Sequence, residues 1–138
     1  LDSLQAVIGN RLIDQTPFIT RRRIENATRL DEGLADVDEV NIPARPDSVK
    51  HVYHLYIVRV ERRDELLKYL QKRGVDAKVH YPIPLHLQKA SKHLGYKKGD
   101  FPQAEYDSLN SITFPAHQHL TDDEIDYVIG CVREFYGK

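Results

Sequence analysis

Residues 51–60 read HVYHLYIVRV and residues 64–86 read DELLKYLQKRGVDAKVHYPIPLH, and these two stretches decide the fold. The first is rich in β-branched and aromatic residues, and these occupy the positions that would point to either face of a strand. This pattern predicts a central strand covered on both faces. Leucines at helical spacing followed by a glycine predict a helix over residues 64–73. Apolar and polar residues then alternate over residues 75–81 up to a proline, which predicts a second strand.

Two helices are predicted upstream of this unit. The first covers residues 1–13 and has an apolar stripe formed by Leu1, Leu4, Ile8 and Leu12. A Thr-Pro pair predicts that the second helix begins near residue 17, and its pattern continues to residue 34, before a linker over residues 35–50. We expect residues 1–36 to be connector helices whose apolar faces find no cover within this chain and serve as an association surface.

The remaining elements complete a small domain over residues 37–138. Residues 102–109 are helical in pattern, and residues 111–114 form a short strand. Thr121 caps a last helix that has an uninterrupted apolar stripe. Three strands with helices packed against them predict an α/β (α+β) two-layer domain, with a small three-stranded sheet covered by helices.

Composition limits the class of protein. The chain has 138 residues, a formal net charge of −1 and one cysteine, Cys131. This net charge argues against nucleic-acid binding through bulk positive charge, and no run approaches the ~20 apolar residues of a membrane span. A single cysteine cannot form an internal disulfide, which predicts a cytoplasmic location. Because Cys131 lies beside the apolar stripe of the last helix, we expect a buried, inert thiol.

The charge is unevenly distributed along the chain. Residues 37–100 carry 13 Lys or Arg and 8 Asp or Glu. Residues 101–138 carry 2 Lys or Arg and 7 Asp or Glu. The positive middle region suits an anionic small molecule, such as a phosphate or pyrophosphate, but also fits solvated helix faces. The glycines match neither dinucleotide-binding nor P-loop spacing. No cysteine pair and no H-E-x-x-H pattern of a zinc site accompanies the histidine pairs His80/His86 and His117/His119, so no metal site is expected.

His80 and Tyr81 are the most distinctive candidate site residues. They place an imidazole beside a phenol at the end of the second predicted strand, where Pro82 and Pro84 stiffen the following loop. Strand ends are where α/β folds build binding sites, so His80 and Tyr81 could bind an anionic or hydroxylated ligand. The same pattern also fits a His80 exposed on the strand and a Tyr81 that caps the core.

Beyond these physical patterns, the chain resembles the C-terminal part of the DegT/DnrJ/StrS family of sugar aminotransferases, which use pyridoxal phosphate (PLP) to aminate keto-sugars attached to nucleotides. The resemblance runs through the whole chain in order. The segments that carry it are LDSLQAVIGN (1–10), RRRIENATRLDEGL (21–34), HVYHLYIVRV (51–60), RDELLKYLQKRGVDAKVHYPIPLHLQ (63–88) and FPQAEYDSLNSITFPAHQHLTDDEIDYVIGCVREFY (101–136).

The resemblance implies a PLP-dependent transferase of fold type I. Such enzymes act in polysaccharide biosynthesis as homodimers, with a nucleotide-sugar substrate and, usually, glutamate as the amino donor. A large N-terminal domain carries PLP on a lysine, and a smaller C-terminal domain covers the site. In this chain the resemblance makes His80 and Tyr81 substrate-binding residues, and His86 a further, weaker candidate.

The resemblance also shows what this sequence lacks. No segment resembles the family's lysine loop or the acidic residue that pairs with the pyridine nitrogen of PLP. We therefore expect no catalytic or cofactor-binding residue in the 138-residue chain, which by itself would be inactive. The alternatives are a stand-alone α/β binding or regulatory module without catalysis, and a histidine-based metalloprotein.

Overall fold

The computed structural model describes residues 2–138 and confirms an α+β domain built on a three-stranded antiparallel sheet. Short 3-10 turns occupy the connection between the third and fourth helices. The elements are α1 (Ser3–Ile13), α2 (Thr16–Leu34), β1 (Val40–Asn41), β2 (Tyr56–Val60), α3 (Arg63–Lys72), the 3-10 turns Leu85–Leu87 and Lys89–Leu94, α4 (Pro102–Asn110), β3 (Ser111–Phe114) and α5 (Asp122–Tyr136).

The strand β2 is central, as predicted, and pairs with β1 on one side and with β3 on the other. It is shorter than the sequence indicated because Tyr53 adopts a left-handed φ of 49°, which breaks the extended chain. Only one face of β2 is fully covered, since Tyr56, Val58 and Val60 are buried and the alternate residues are half-buried. The predicted burial of both faces was therefore right for one face only.

Two strand predictions were wrong. The first sheet partner, β1, lies in the segment predicted as a linker, where Val40 pairs with Val60. The predicted strand over residues 75–81 is reduced to one bridge, between Lys78 and Thr113. The Ala77 N–H donates to the Val75 carbonyl oxygen at 2.8 Å, so a tight local turn takes this backbone out of a regular ladder.

The second helix belongs to the core, which corrects the expectation that both leading helices find no cover within this chain. On α2, Ala27, Leu30 and Leu34 are buried, and this helix packs along α5. Arg133 of α5 donates a hydrogen bond to the Gly33 carbonyl oxygen and pairs with Asp36. The division of the chain at residue 36 remains a prediction.

The first helix is uncovered within the described residues, as expected. None of its residues is buried, and Leu4, Val7 and Ile8 are 70%, 66% and 51% exposed. Leu1, the first residue of the predicted stripe, lies outside the described residues. In the described part of the chain, α1 is therefore an unpartnered amphipathic helix.

The last helix forms as predicted. Thr121 and Glu124 make a capping box, and Gly137 ends the helix with a φ of 75°. Its apolar stripe packs against α2 and α3, and Cys131 is buried, as expected, at 4% exposure. In residues 2–138 no helix is both long and apolar enough to cross a membrane.

Candidate functional site

His80 lies where the segment after α3 passes the outer edge of β3. Its Nδ1 atom is 2.9 Å from the Thr113 Oγ1 atom, and the Thr113 side chain is buried within the sheet. Two backbone hydrogen bonds, of 2.8 and 3.1 Å, join Thr113 to Lys78 just before His80. The strand β3 thus holds the imidazole through both its backbone and a side chain.

Tyr81 points away from the core. Its side chain is 70% exposed, and its ring meets the His80 ring edge-on at a centroid distance of 5.5 Å. The peptide bond between the two residues is cis. The reading of Tyr81 as a core cap is therefore wrong, and a phenol stands free beside the imidazole. The alternation of buried and exposed residues stops at Val79 because the chain leaves the sheet there.

Two open clefts meet at His80. The first has a volume of about 240 Å³ and is called here the basic cleft. Its charged and imidazole-bearing lining residues are Arg23, His54, Asp76, Lys78, His80 and His117. The second has a volume of about 280 Å³ and is called the loop cleft, since Tyr81, Ile83 and Leu85 line it from the loop, opposite Ser108 of α4. His80 is the residue that both linings share.

The basic cleft carries a small excess of positive charge. Lys78 Nζ lies 2.9 Å from the Asp76 carboxylate, which offsets one of the two permanent cations. Within residues 2–138, Arg23 has no carboxylate among its hydrogen-bond partners, so its positive charge is not offset. This cleft can accept an anionic or hydroxylated group at the imidazole of His80.

Arg23 also holds the walls of the basic cleft together. Its Nη1 atom donates to the Tyr53 and His54 carbonyl oxygens at 2.9 and 3.0 Å, and its Nε atom donates to Gln118. Arg23 could not be singled out from the sequence, because nothing in the RRR run distinguishes one arginine from its neighbours. Its three partners lie 30 or more residues away along the chain.

The structure separates His86 from His80 and Tyr81. The His86 side chain is 7% exposed, and its Nε2 atom lies 3.1 Å from the Glu105 Oε1 atom. Glu105 also accepts a hydrogen bond of 2.7 Å from the Gly99 backbone N–H, which holds the pKa of its carboxyl below the usual range, with help from His86. His86 lines neither the basic cleft nor the loop cleft, and it fastens the loop after Pro84 to α4.

No metal centre is present among residues 2–138, in which no group of three or more His, Cys, Asp or Glu side chains is placed to hold an ion. The rings of His117 and His119 lie 6.0 Å apart and have local hydrogen-bond partners instead.

The described residues do not fit a PLP site. Every lysine of the chain is exposed, and Lys78, which lines the basic cleft, is paired with Asp76. A lysine that forms a Schiff base is activated by a desolvating pocket or by a neighbouring cation. None of these exposed lysines lies in a desolvating pocket, so no step through PLP is assigned to this chain.

The comparisons with known proteins agree with this arrangement. Residues 1–133 match the DegT/DnrJ/EryC1/StrS aminotransferase family. The chain belongs to this family. It is 36% identical to a pleiotropic regulatory protein of Geobacillus stearothermophilus, a match that covers 99% of this chain and 37% of that protein. It is 33% identical to the dTDP-3-amino-3,4,6-trideoxy-alpha-D-glucose transaminase of Streptomyces venezuelae, covering 98% of this chain and 36% of that enzyme.

Solved structures of family members have the same fold. S. venezuelae DesV in complex with a ketimine intermediate superposes with a TM-score of 0.96 at 33% identity, over 100% of this chain and 37% of that one. A Brucella abortus family member superposes with a TM-score of 0.90 at 31% identity, and the match covers 100% of this chain and 36% of that one. The chain therefore spans little more than a third of the length of its family relatives, and it matches their C-terminal part.

Proposed function

We propose that this chain is the C-terminal domain of a PLP-dependent aminotransferase that transfers an amino group to a keto-sugar of a nucleotide-sugar. The observation that carries the proposal is the superposition on DesV over the whole chain, with a TM-score of 0.96. Relatives named as dTDP-amino-sugar transaminases support the substrate class. The alternative of a stand-alone binding or regulatory module is not favoured, because the matched family is one of aminotransferases.

In this proposal the cofactor and the catalytic lysine belong to a domain outside the 138 residues. A structural neighbour from Streptococcus pneumoniae is described in PLP and PMP forms, which supports PLP as the cofactor. Glutamate is the proposed amino donor, and the enzyme is a cytoplasmic homodimer. The isolated chain, mixed with PLP, forms no specific aldimine and performs no transamination.

His80 and Tyr81 are the proposed substrate-binding residues. The imidazole lies where the two clefts meet and the phenol is exposed beside it, which supports hydrogen bonds from both side chains to the sugar or its phosphates. His86, which the resemblance included, is instead proposed to hold the loop that forms one wall of the loop cleft, through its bond to Glu105. No proton transfer is assigned to any of the three.

The test measures the two half-reactions of the complete enzyme separately. His80→Ala and Tyr81→Phe are expected to raise KM for the nucleotide-sugar by about 10- to 150-fold, the equivalent of one hydrogen bond to a charged group. The half-reaction with the amino donor should change by less than about threefold, because sugar recognition makes no contribution there. His93→Ala is the matched control, since this imidazole bonds to the Ala90 carbonyl oxygen, away from both clefts.

Two results would contradict these assignments. If either variant stops the donor half-reaction while sugar binding persists, that residue belongs to the general catalytic machinery. If both variants leave the sugar KM within about twofold of the parent value, neither residue contacts the substrate. Failure of the complete enzyme to aminate any member of a panel of nucleotide keto-sugars would contradict the substrate class itself.

A further inference from the structure

Thr113 is a buried polar residue of β3 that also lines the basic cleft. All four residues of β3 are buried, and Thr113 is 7% exposed. A valine has nearly the same shape and would not bury a polar group, which costs free energy when it lacks a hydrogen bond. The His80 Nδ1 atom is the side-chain partner that residues 2–138 provide for this hydroxyl, at 2.9 Å.

The backbone fixes the same pair of residues independently. Thr113 N–H donates to the Lys78 carbonyl oxygen at 2.8 Å, and Lys78 N–H donates to the Thr113 carbonyl oxygen at 3.1 Å. This reciprocal pair sets the register of the two segments, so that His80, two residues later, reaches the Thr113 side chain. The contact is therefore a property of the sheet edge and not of a mobile loop.

The contact leaves one ring nitrogen for other partners. With Nδ1 held by Thr113, the second ring nitrogen of His80, Nε2, has no hydrogen-bond partner within the described residues. A threonine hydroxyl can donate to an unprotonated ring nitrogen or accept from a protonated one, so it holds the ring in either tautomer. Nε2 thus remains free where the basic cleft and the loop cleft meet.

We propose that Thr113 is a positioning residue for substrate recognition: its hydroxyl fixes the His80 imidazole so that Nε2 faces the nucleotide-sugar. This inference rests on the proposed function, because it needs His80 to contact the sugar substrate. Thr113 lines the basic cleft next to His80, and the proposed role acts through the His80 imidazole.

The experiment uses the complete enzyme and a double-mutant cycle. Thr113→Val should raise KM for the nucleotide-sugar about 2- to 10-fold, the range of one neutral hydrogen bond, with little change in the donor half-reaction. Thr113→Ser retains the hydroxyl and should restore KM to within about twofold of the parent value. In a His80→Ala background, Thr113→Val should change the sugar KM no further.

A control separates positioning from damage to the strand. Ile112→Val removes one methyl group from the neighbouring, fully buried residue of β3 and should lower the melting temperature without changing the sugar KM. If Ile112→Val raises the sugar KM as much as Thr113→Val does, the effect belongs to the strand and the inference is wrong.

The remaining outcomes distinguish this inference from the proposed function. If His80→Ala raises the sugar KM but Thr113→Val does not, the positioning role fails and the proposed function stands. The role also fails if Thr113→Val has the same effect with and without His80. If His80→Ala itself leaves the sugar KM unchanged, the assignment of His80 under the proposed function has failed, and this inference fails with it.

Discussion

Asn26 Nδ2 donates a hydrogen bond of 2.9 Å to the His117 carbonyl oxygen, which ties α2 to the segment that follows β3. Asn26 is 1% exposed, so its amide has been transferred from water into the core. A buried polar group on a helix face that otherwise packs alanine and leucine is costly unless its bond is made. This bond therefore fixes one wall of the basic cleft.

Replacing Asn26 with leucine is expected to lower the free energy of unfolding by about 1–3 kcal/mol, because the His117 carbonyl oxygen is left without its partner. Urea denaturation of the purified protein measures this change. The matched control is Asn10→Ala on the exposed helix α1, which should change stability by less than about 0.5 kcal/mol. Equal stability of the Asn26 variant and the parent would show that the bond is dispensable.

At Gly33, the packing of α2 against α5 leaves no room for a side chain. A Cβ atom added at Gly33 would lie 2.6 Å from Ile129 Cδ1 and 2.9 Å from Ile129 Cγ2. Overpacking by Gly33→Ala should therefore lower the free energy of unfolding by about 1–3 kcal/mol. Alanine is a better helix former than glycine, and this offsets ~1 kcal/mol of that loss. In an Ile129→Ala background, where the obstructing side chain is removed, the same substitution should instead stabilise the protein.

Gly130 offers the matched control for this prediction. It lies within α5, and an added Cβ would meet nothing within 4 Å. Gly130→Ala should raise the melting temperature in either background, since only helix propensity changes. If Gly33→Ala and Gly130→Ala have effects of the same sign in the parent protein, the close approach of the helices is not a constraint.

Much of this architecture could be predicted from local patterns. The last helix, with its Thr121 cap, and the strand over residues 111–114 were confirmed, because apolar periodicity and capping chemistry are encoded within a few neighbouring residues. The short strand β1 was missed, since two residues carry no period. The prediction of a strand over residues 75–81 failed because the turn closed between Val75 and Ala77 contains neither glycine nor proline.

The site was less predictable than the fold. The sequence places His80 beside Tyr81, but it does not show that Thr113 holds the imidazole, because that contact joins residues 33 positions apart. Likewise, His86 looks equivalent to His80 in the pattern HYPIPLH, yet it packs against Glu105 and Phe101. Tertiary contacts, which single-sequence patterns do not encode, decide that His80 and not His86 lines the basic cleft and the loop cleft.

Acid should weaken the attachment of the loop to α4. The hydrogen bond from Gly99 and the nearby His86 hold the pKa of the Glu105 carboxyl below its usual value of 4.5. Because the folded pKa is the lower one, the stabilisation is complete above the unfolded value and is lost as the pH falls through the folded value. The melting-temperature difference between the parent and Glu105→Gln should thus shrink as the pH falls below about 5.

The control for this pH series is Glu32→Gln, at an exposed position of α2. Its melting-temperature difference from the parent should show no matching decline between pH 5 and 3. A Glu105→Gln difference that stays constant down to pH 3 would rule out a stabilising role for the charged carboxylate.

The apolar face of α1 predicts self-association when the 138-residue chain is produced by itself. Leu4 and Ile8 are exposed on the same face of the helix, and contiguous apolar patches on soluble proteins usually mark interfaces. Analytical ultracentrifugation should detect oligomers that Leu4→Gln with Ile8→Gln disperses. Val49→Gln, at an exposed valine outside α1, should leave them intact. A monodisperse monomer of the parent chain, with α1 ordered, would contradict the prediction.

The pairing of α2 with α5 also determines when this domain can fold. The hydrogen bond from Arg133 to the Gly33 carbonyl oxygen joins residues 100 positions apart in the sequence. The hydrogen bond from Asn26 to the His117 carbonyl oxygen joins residues 91 positions apart. Contacts between such distant residues cost loop-closure entropy before they stabilise anything, which slows folding. On a translating ribosome, the apolar face of α2 would therefore stay exposed until α5 has emerged, and a chaperone that binds apolar segments would encounter it throughout that interval.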